Sequence, residues 1–415
     1  MQDQDEDSGP PSGAPGLVSL VASFMMHNPA GIAETVAVLG TLAGLSYYVL
    51  CLSSATSFIR ERNSRTRLLL DPRTLPPVSI LKPLKGTDPG MFDSLRSHCL
   101  QDYPAYEIVF GVSDERDPAI ALVERLQVQF PALPIRLVVC QKNLGANRKV
   151  SSLAEMLPQA RYELLIVNDG DIRVAADYLR RVVPPLLDPE IGLVTCLYRG
   201  VPSPTLGSRL ESLGISTDFC AGVLVARLLE RGIKFGLGST LAFRRRDLAA
   251  IGGFEVLADY LADDYEIGRR LAAQGLKVKL SETVVETFLP PYSWREFVSH
   301  QLRWARTVRH SRPGGYAGLV LTFGIPWAMI ALAGAYRSVW AWELAGLAFG
   351  LRILTALLVG RGALRDPYVP FLLGLIPLRD CVALLIWFGG FMGHMITWRG
   401  DSFALKKGKL VRIRA

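Results

Sequence analysis

The chain has 415 residues, a formal charge of +8, and half of its residues are hydrophobic. That is room for one sizeable soluble domain and something more, and a positive mean hydropathy is high for a soluble enzyme. None of the six cysteines (Cys51, Cys99, Cys140, Cys196, Cys220, Cys381) forms a CxxC pair, which argues against a zinc site and for free thiols in a reducing compartment.

Residues 1–16, MQDQDEDSGPPSGAPG, are acidic, rich in Pro and Gly, and aperiodic. They read as a disordered tail, without the basic region of a signal peptide. Residues 33–56 predict a transmembrane helix, because TVAVLGTLAGLSYYVLCLSSA (35–55) carries no charge. About twenty helical residues at ~1.5 Å each cross a hydrocarbon layer of ~30 Å. Arg60, Arg62, Arg65 and Arg67 follow, and such a cluster marks the cytoplasmic side.

Residues 68–290 alternate short apolar runs (PVSILKPL, YEIVFGVSD, IRLVVC, YELLIVNDGD, IGLVTCLY) with helical patterns. This predicts an α/β domain with a Rossmann-like, mostly parallel sheet covered on both faces. Ligands bind such sheets at the carboxyl ends of the strands. GxGxxG after the first strand, GxxxxGK[ST] and GxSxG are all absent, which disfavours a dinucleotide dehydrogenase, a P-loop NTPase and an α/β-hydrolase.

The candidate site residues sit at those strand ends. LLIV stops at Asn168-Asp169-Gly170-Asp171. Carboxylate, small residue, carboxylate suits a hard divalent cation that shares its oxygen shell with phosphates, although Asp-Gly-Asp also makes a good turn. YEIVFGVSDERD ends at Asp114, which suits contact with a uracil ring; helix N-capping is the competing role, and Asp117 fits it at least as well. GANRKVSSLAEM places Arg148 and Lys149 at a helix start, where anions bind, or where they are ordinary surface charge. Asp263 and Asp264 open the next helical pattern. The helix dipole favours acids there, and a pair of acids also supplies a general base.

Residues 291–312 contain SWREFVSHQLRWARTVRH, an amphipathic interfacial helix with Arg303 and Trp304. Residues 315–400 form a C-terminal transmembrane block. Residues 317–336 and 338–360 are long enough to span, the latter with Glu343 and Arg352 inside, and so are 381–398. Residues 367–378 are too short and read as re-entrant. Arg379 and Asp380 read as a pair, since lone charges at membrane depth are costly. Residues 401–415 read as a basic cytoplasmic tail, so the block should cross an even number of times.

The ordered set VSD (Asp114), NDGD (Asp169, Asp171), ADDYEIG (Asp263, Asp264) and HQLRW (His300 to Trp304) resembles the motif series of GT-A glycosyltransferases of the processive type. The likeness is strongest to the ceramide glucosyltransferases, glycosyltransferase family 21, and their bacterial relatives linked to hopanoid biosynthesis. SILKPLKG, GANRK and the N-terminal anchor add to it. The resemblance implies a GT-A fold, a UDP-sugar donor, Mg²⁺ or Mn²⁺, and a lipid alcohol from the bilayer, with no nucleic-acid partner. It implies Asp114 on uridine, and Lys149 and Asp169 on the donor. Asp171 with Asp169 would take the metal, and Asp264 would be the base beside Asp263. Arg303 and Trp304 match the motif's last pair. His300 stands where Gln or Arg is usual, with Gln301 one place later, so either can take that role. A polyprenyl-phosphate sugar synthase and a processive polysaccharide synthase are the competing enzymes. The Arg-, Ala-, Leu- and Gly-rich composition suggests a GC-rich bacterial genome, which with the apolar spans and the flanking arginines predicts a bacterial inner membrane and a cytoplasmic catalytic domain.

Overall fold

The computed structural model describes residues 29–64, 74–398 and 401–412. The acidic tail, Arg65, Arg67 and residues 413–415 lie outside them. Strands β1 (Val78–Pro83), β2 (Tyr106–Val112), β3 (Ile135–Val139), β4 (Leu164–Val167), β5 (Ile172–Arg173), β6 (Ile191–Val201), β7 (Leu241–Arg244) and β8 (Lys277–Phe288) form one sheet. Their order is β3-β2-β1-β4-β7-β6-β8-β5. β1 to β4 are mutually parallel, and β7 runs against both its neighbours. The expected α/β sheet is therefore present in mixed form. Both faces are covered. Leu81, Val109, Leu165 and Val167 enter one core, while Ile80, Ile108, Leu164 and Ile166 enter the other. That period of two within continuous apolar runs is what a doubly covered sheet requires.

The topology sets the site. Parallel β2 and β4 end on the same edge, which delivers Asp114 and the Asp169–Asp171 turn there. Antiparallel β7 starts on that edge, so the loop just before it, Leu237 to Thr240, arrives at the same place.

The membrane part begins with α1 (Pro29–Ser64). Its Arg62 donates to the carbonyl of Ala363 at 2.7 Å, and its Glu61 pairs with Arg227 and Lys279. Among the described residues, four helices are long and apolar enough to cross a membrane, and a bent pair makes a fifth candidate. We label the remaining helices that matter below α2 (Arg148–Met156), α3 (Leu206–Leu229), α4 (Asp263–Ala273), α5 (Trp294–Ser311), α6 (Pro313–Thr322), α7 (Gly324–Gly334), α8 (Val339–Ala363) and α9 (Val369–Phe391). α6 and α7 are the bent pair, at 49°.

Three features differ from the sequence reading. First, α3 is apolar enough to span, yet it belongs to the catalytic half of the chain and packs on α1 and β6. Its apolar character covers the seam between domain and membrane helices. A π-helical stretch, Ile215–Phe219, interrupts it and carries Asp218; such bulges re-aim side chains. Second, Arg379 and Asp380 do not pair with each other. Asp380 takes Arg352 in a bidentate pair at 2.9 and 3.0 Å. Arg379 reaches Asp218 at 3.3 Å, and Arg352 reaches the same carboxylate at 2.5 Å. Adjacent residues on a helix diverge by about 100°, so they meet different neighbours. Third, residues 367–378 and 381–398 are not two membrane pieces. α9 covers most of both, and the chain then turns into a strand.

α9 lies along α5 in the same direction. Val382 shares an apolar cluster with Phe297, Gly389 abuts Leu302, and Gly390 abuts Ala305. Both its ends are tied to the catalytic half. Asp366 accepts from Ser216 at 2.6 Å before it, and the Met392 carbonyl accepts from Arg306 at 2.9 Å after it. Beyond it, β9 (Met395–Trp398), β10 (Asp401–Lys406) and β11 (Lys409–Arg412) make a three-stranded antiparallel sheet. The described part of the expected tail is thus folded. Phe403, Leu405 and Leu410 are buried. Lys407 and Gly408 have φ of 51° and 79°, the left-handed pair of a tight hairpin turn.

Removing one member of the buried charge joint strands the others. Arg352, 3% exposed, serves two carboxylates, so Arg352→Met should lower stability by about 3–5 kcal/mol. A fall in the detergent-solubilised melting temperature measures it, and an unchanged melting temperature refutes it.

Candidate active site at the strand ends

Lys149, in the first turn of α2, projects into the cluster. Its ammonium pairs with Asp169 at 2.8 Å and Asp263 at 3.1 Å. Burial disfavours that charge, but Asp169 and Asp263 outweigh it and hold the lysine pKa above its ordinary value. Asn147 caps α2 by accepting from Val150 N at 3.2 Å. Its amide donates to the Tyr260 carbonyl at 2.7 Å, which ties the helix start to the loop before Asp263.

Asp264 is held by two backbone amides, Gly238 N at 2.7 Å and Tyr265 N at 2.8 Å. Burial first, and then the Asp263 carboxylate, raise its pKa to about 6. Gly238 lets the carboxylates converge. A Cβ there would stand 2.8 Å from Asp169 Oδ2 and 3.4 Å from Asp264 Oδ2. The same residue's carbonyl accepts from Asp169 N at 3.3 Å.

Below the Asp169–Asp171 turn lies a buried polar support. Lys82 donates to the Asp169 carbonyl at 2.9 Å, and Ser94 donates to the Asp171 carbonyl at 3.0 Å. Burial lowers the Lys82 pKa to about 7, against the pull of Asp171 and Asp169. His98 faces Lys82 at 3.4 Å, and burial and then Lys82 hold its pKa well below the usual value. A neutral ring there can accept from the lysine. The Asp171 carboxylate itself accepts from the Thr287 hydroxyl. Burial and the Asp169 charge raise its pKa.

Among the described residues no group of three or more His, Cys, Asp or Glu side chains is placed to hold a metal ion. Asp169 and Asp171 nonetheless fit a hard cation of the kind that takes one or two protein carboxylates and fills its shell from phosphate and water. Their mutual repulsion, felt at Asp171, is what such a cation relieves.

A second cluster lies on α5. Nδ1 of His300 pairs with buried Glu211 at 3.1 Å, and its ring stacks on Tyr292 at 5.5 Å. Trp304 meets Phe219 edge-on at 5.8 Å, and Phe219 packs on Tyr198 at 5.5 Å. Arg303 lines a cavity with Arg295, Ser299, His300 and Thr397. Two tyrosines feel carboxylates of both clusters. After burial, Cys220, Asp264, Glu211 and Asp169 raise the Tyr198 pKa, while burial and then Glu211 and Asp171 raise that of Tyr292.

The structure therefore brings Lys149, Asp169, Asp263 and Asp264 together, with Asp171 on the same turn. Arg148 is exposed. Asp114 is exposed at the end of β2 and accepts from Arg116 N at 2.9 Å. Asp117, just before the N-cap position held by Pro118, accepts from Ala119 N at 2.9 Å. Gln301 is half-buried on α5. Gly238, Glu211, Thr287 and the Lys82–His98 pair were missed by sequence reasoning. A buried Lys in strand β1 was the available signal for the last.

Residues 36–411 match the model of "Glycosyl transferase family 21". "Ceramide glucosyltransferase 1" of Caenorhabditis elegans is 24% identical over 82% of this chain and 74% of its own length. A ceramide glucosyltransferase of Komagataella phaffii is 32% identical over 36% of this chain and 30% of its own. A "Beta-monoglucosyldiacylglycerol synthase" of Synechocystis is 25% identical over 49% and 42%. Among solved structures, a mannosyltransferase of Pyrobaculum calidifontis in complex with GDP-Man and Mn²⁺ covers 87% of this chain and 99% of its own. At a TM-score of 0.50 and 21% identity, it shares the GT-A-like fold.

In the general-base role that the sequence motif implies for it, Asp264, with its pKa of about 6, would work only when ionised. Turnover measured as kcat/KM should fall as pH drops through about 6, and Asp263→Asn should shift that acid limb lower by removing the neighbouring charge. A limb that stays in place, or appears near the ordinary carboxylate pKa of about 4, contradicts the arrangement.

Proposed function

The chain belongs to glycosyl transferase family 21, and from that premise we propose that it moves a hexose from a UDP-sugar to the hydroxyl of a membrane lipid with inversion. The hexose is glucose or N-acetylglucosamine, the acceptor ceramide or a hopanoid polyol, and the product a β-glycolipid. The observation that carries this reading is Asp264. It shares a carboxylate cluster with the Asp169–Asp171 turn, and its pKa of about 6 leaves it ionised at neutral pH yet basic enough to take a proton.

Each residue then has a task. Asp114 contacts the uridine, and Asp169 and Lys149 contact the donor. Asp171 with Asp169 would hold Mg²⁺ or Mn²⁺, which when bound neutralises charge on the diphosphate. Asp264 accepts the lipid hydroxyl proton while that oxygen bonds to the anomeric carbon. The bond from that carbon to the diphosphate oxygen breaks, and UDP departs with the electron pair beside Arg303. His300 is committed to Glu211, so it orients α5, where Trp304 and Phe219 form an apolar wall. Lys149 separates Asp263 from Asp169, and its charge favours the ionised form of Asp264 against the carboxylates that oppose it.

The same reading orients the membrane part, with the catalytic domain at the cytoplasmic face of a bacterial inner membrane. α1 crosses and ends at Arg62, beside the end of α8. The bent α6–α7 pair leads out and α8 returns, an even count. α9, tied to the catalytic half at both ends, lies along the membrane surface beside α5.

Two measurements test this. Membranes containing the protein, labelled UDP-glucose or UDP-N-acetylglucosamine, and ceramide or bacteriohopanetetrol should give labelled lipid in one combination. Asp264→Asn should reduce it at least 10²-fold, the lower end of general-base catalysis, with UDP still bound. Label in water-soluble polymer, or turnover within about tenfold in the variant, refutes the assignment. Nitroxides at Phe371 and Leu385, which are 88% and 68% exposed, should both report shallow depth in the bilayer. A central depth at Leu385 means that α9 crosses.

A further inference from the structure

The C-terminal sheet holds no residue that the reaction uses, yet it is built into the active site at two points. The first is the loop that leads into Asp263 and Asp264. Residues 259–261 meet β11 in an isolated antiparallel bridge. Leu410 N donates to the Asp259 carbonyl at 2.7 Å, and Leu261 N donates to the Gly408 carbonyl at 3.3 Å. Tyr260 and Lys409 face each other in this pairing. The Tyr260 ring lies near two cations, Lys409 at 5.2 Å and Arg270 at 5.5 Å. The Leu261 side chain enters the small core of the sheet with Ile396, Phe403, Leu405 and Leu410. The other side of the same loop grips α2, through Asn147 to the Tyr260 carbonyl and Ala146 N to Asp259 at 3.0 Å.

The second point is α5. Arg306 donates to the Met395 carbonyl at 2.5 Å and to the Met392 carbonyl at 2.9 Å, and Arg309 donates to the Gly393 carbonyl at 2.9 Å. A cavity of about 120 Å³ lies between α5 and the sheet, lined by Arg303 and Arg306 on one side and Ile396, Thr397 and Ser402 on the other. The sheet therefore walls the groove in which Arg303 stands.

We propose that β9–β11 is a strap that holds the Asp264 loop in register with the Arg303–Trp304 helix, so that the C-terminal segment positions the active site. This rests on Asp264 being the base. The physical reason is local. Asp264 starts a helix whose entry loop is held on one side by Asn147, through the Ala258 and Tyr260 carbonyls, and on the other by β11, and a general base must be within hydrogen-bond reach of its proton. A misplacement of about 1 Å can lower a rate by about 10²-fold.

The strap is tested by removing one hydrogen bond. Leu410 N–H points to Asp259 and away from β10, so Leu410→Pro deletes that donor and spares the β10–β11 ladder. Leu410→Val keeps the amide and most of the apolar side chain. Glycolipid kcat should fall about 10²-fold in Leu410→Pro, the size of a misplaced catalytic group. Donor KM and UDP affinity should stay within about threefold, and Leu410→Val should match the wild type, because only the amide differs. Amide exchange at residues 259–264 should rise in the proline variant alone. Equal kcat and equal exchange in the two variants overturn the strap, as does a loss of UDP affinity that parallels kcat. A wild type that makes no glycolipid defeats the functional reading instead, and the exchange comparison still decides the strap.

Discussion

Three carboxylates, Asp169, Asp263 and Asp264, converge where one ammonium, Lys149, stands in ion-pair contact. Two unit charges 4 Å apart interact by roughly 4 kcal/mol at an effective dielectric near 20. Such a surplus needs compensation, and the fold supplies it in pieces. Amides of Gly238 and Tyr265 hold Asp264, Lys149 bridges its neighbours, and Lys82 supports the Asp169–Asp171 turn from below. The Asp169 side chain remains 42% exposed on that turn, and a partly open carboxylate at the carboxyl ends of parallel strands suits a hard cation that shares its oxygen shell with a diphosphate.

The remainder of the molecule holds this cluster against the membrane helices. α3 is the hinge of that arrangement. One part of it offers Glu211 to His300 on α5, and its π-helical stretch offers Asp218 to Arg352 and Arg379. A single helix thus fixes both the Arg303–Trp304 helix and the helices that follow it. α1 is clasped at Glu61 and Arg62, and the C-terminal sheet closes the far side. On the proposed reading this rigidity matters, because the acceptor hydroxyl and the Asp264 carboxylate have to meet at a bilayer surface with the loop clasped between α2 and the C-terminal sheet.

Much of this was readable from residue pattern. The doubly covered sheet follows from apolar runs such as LLIV, and the aspartates at strand ends stand out because ligands bind such sheets at the carboxyl ends of their strands. Other features left no such trace. Antiparallel β7 has the same apolar composition as a parallel strand, so the approach of Gly238 to Asp169 and Asp264 was invisible. The π-helical stretch of α3 has no sequence signature, so nothing showed that Asp218 would meet Arg352 and Arg379, and Arg379 and Asp380 were assigned to each other. The C-terminal sheet was hidden by charge. Lysines and arginines on its exposed face made residues 401–415 look like a tail, although Phe403, Leu405 and Leu410 alternate correctly around a Lys-Gly turn.

The central claim is that the Asp169–Asp171 turn is shaped for a cation carrying a diphosphate. Calorimetric titration of UDP into the purified protein, with and without Mn²⁺, tests it most directly. The account predicts that Mn²⁺ tightens UDP binding at least tenfold, about 1.4 kcal/mol, and that Asp171→Asn abolishes the gain. UDP affinity that is indifferent to Mn²⁺, or a gain that survives Asp171→Asn, would contradict it.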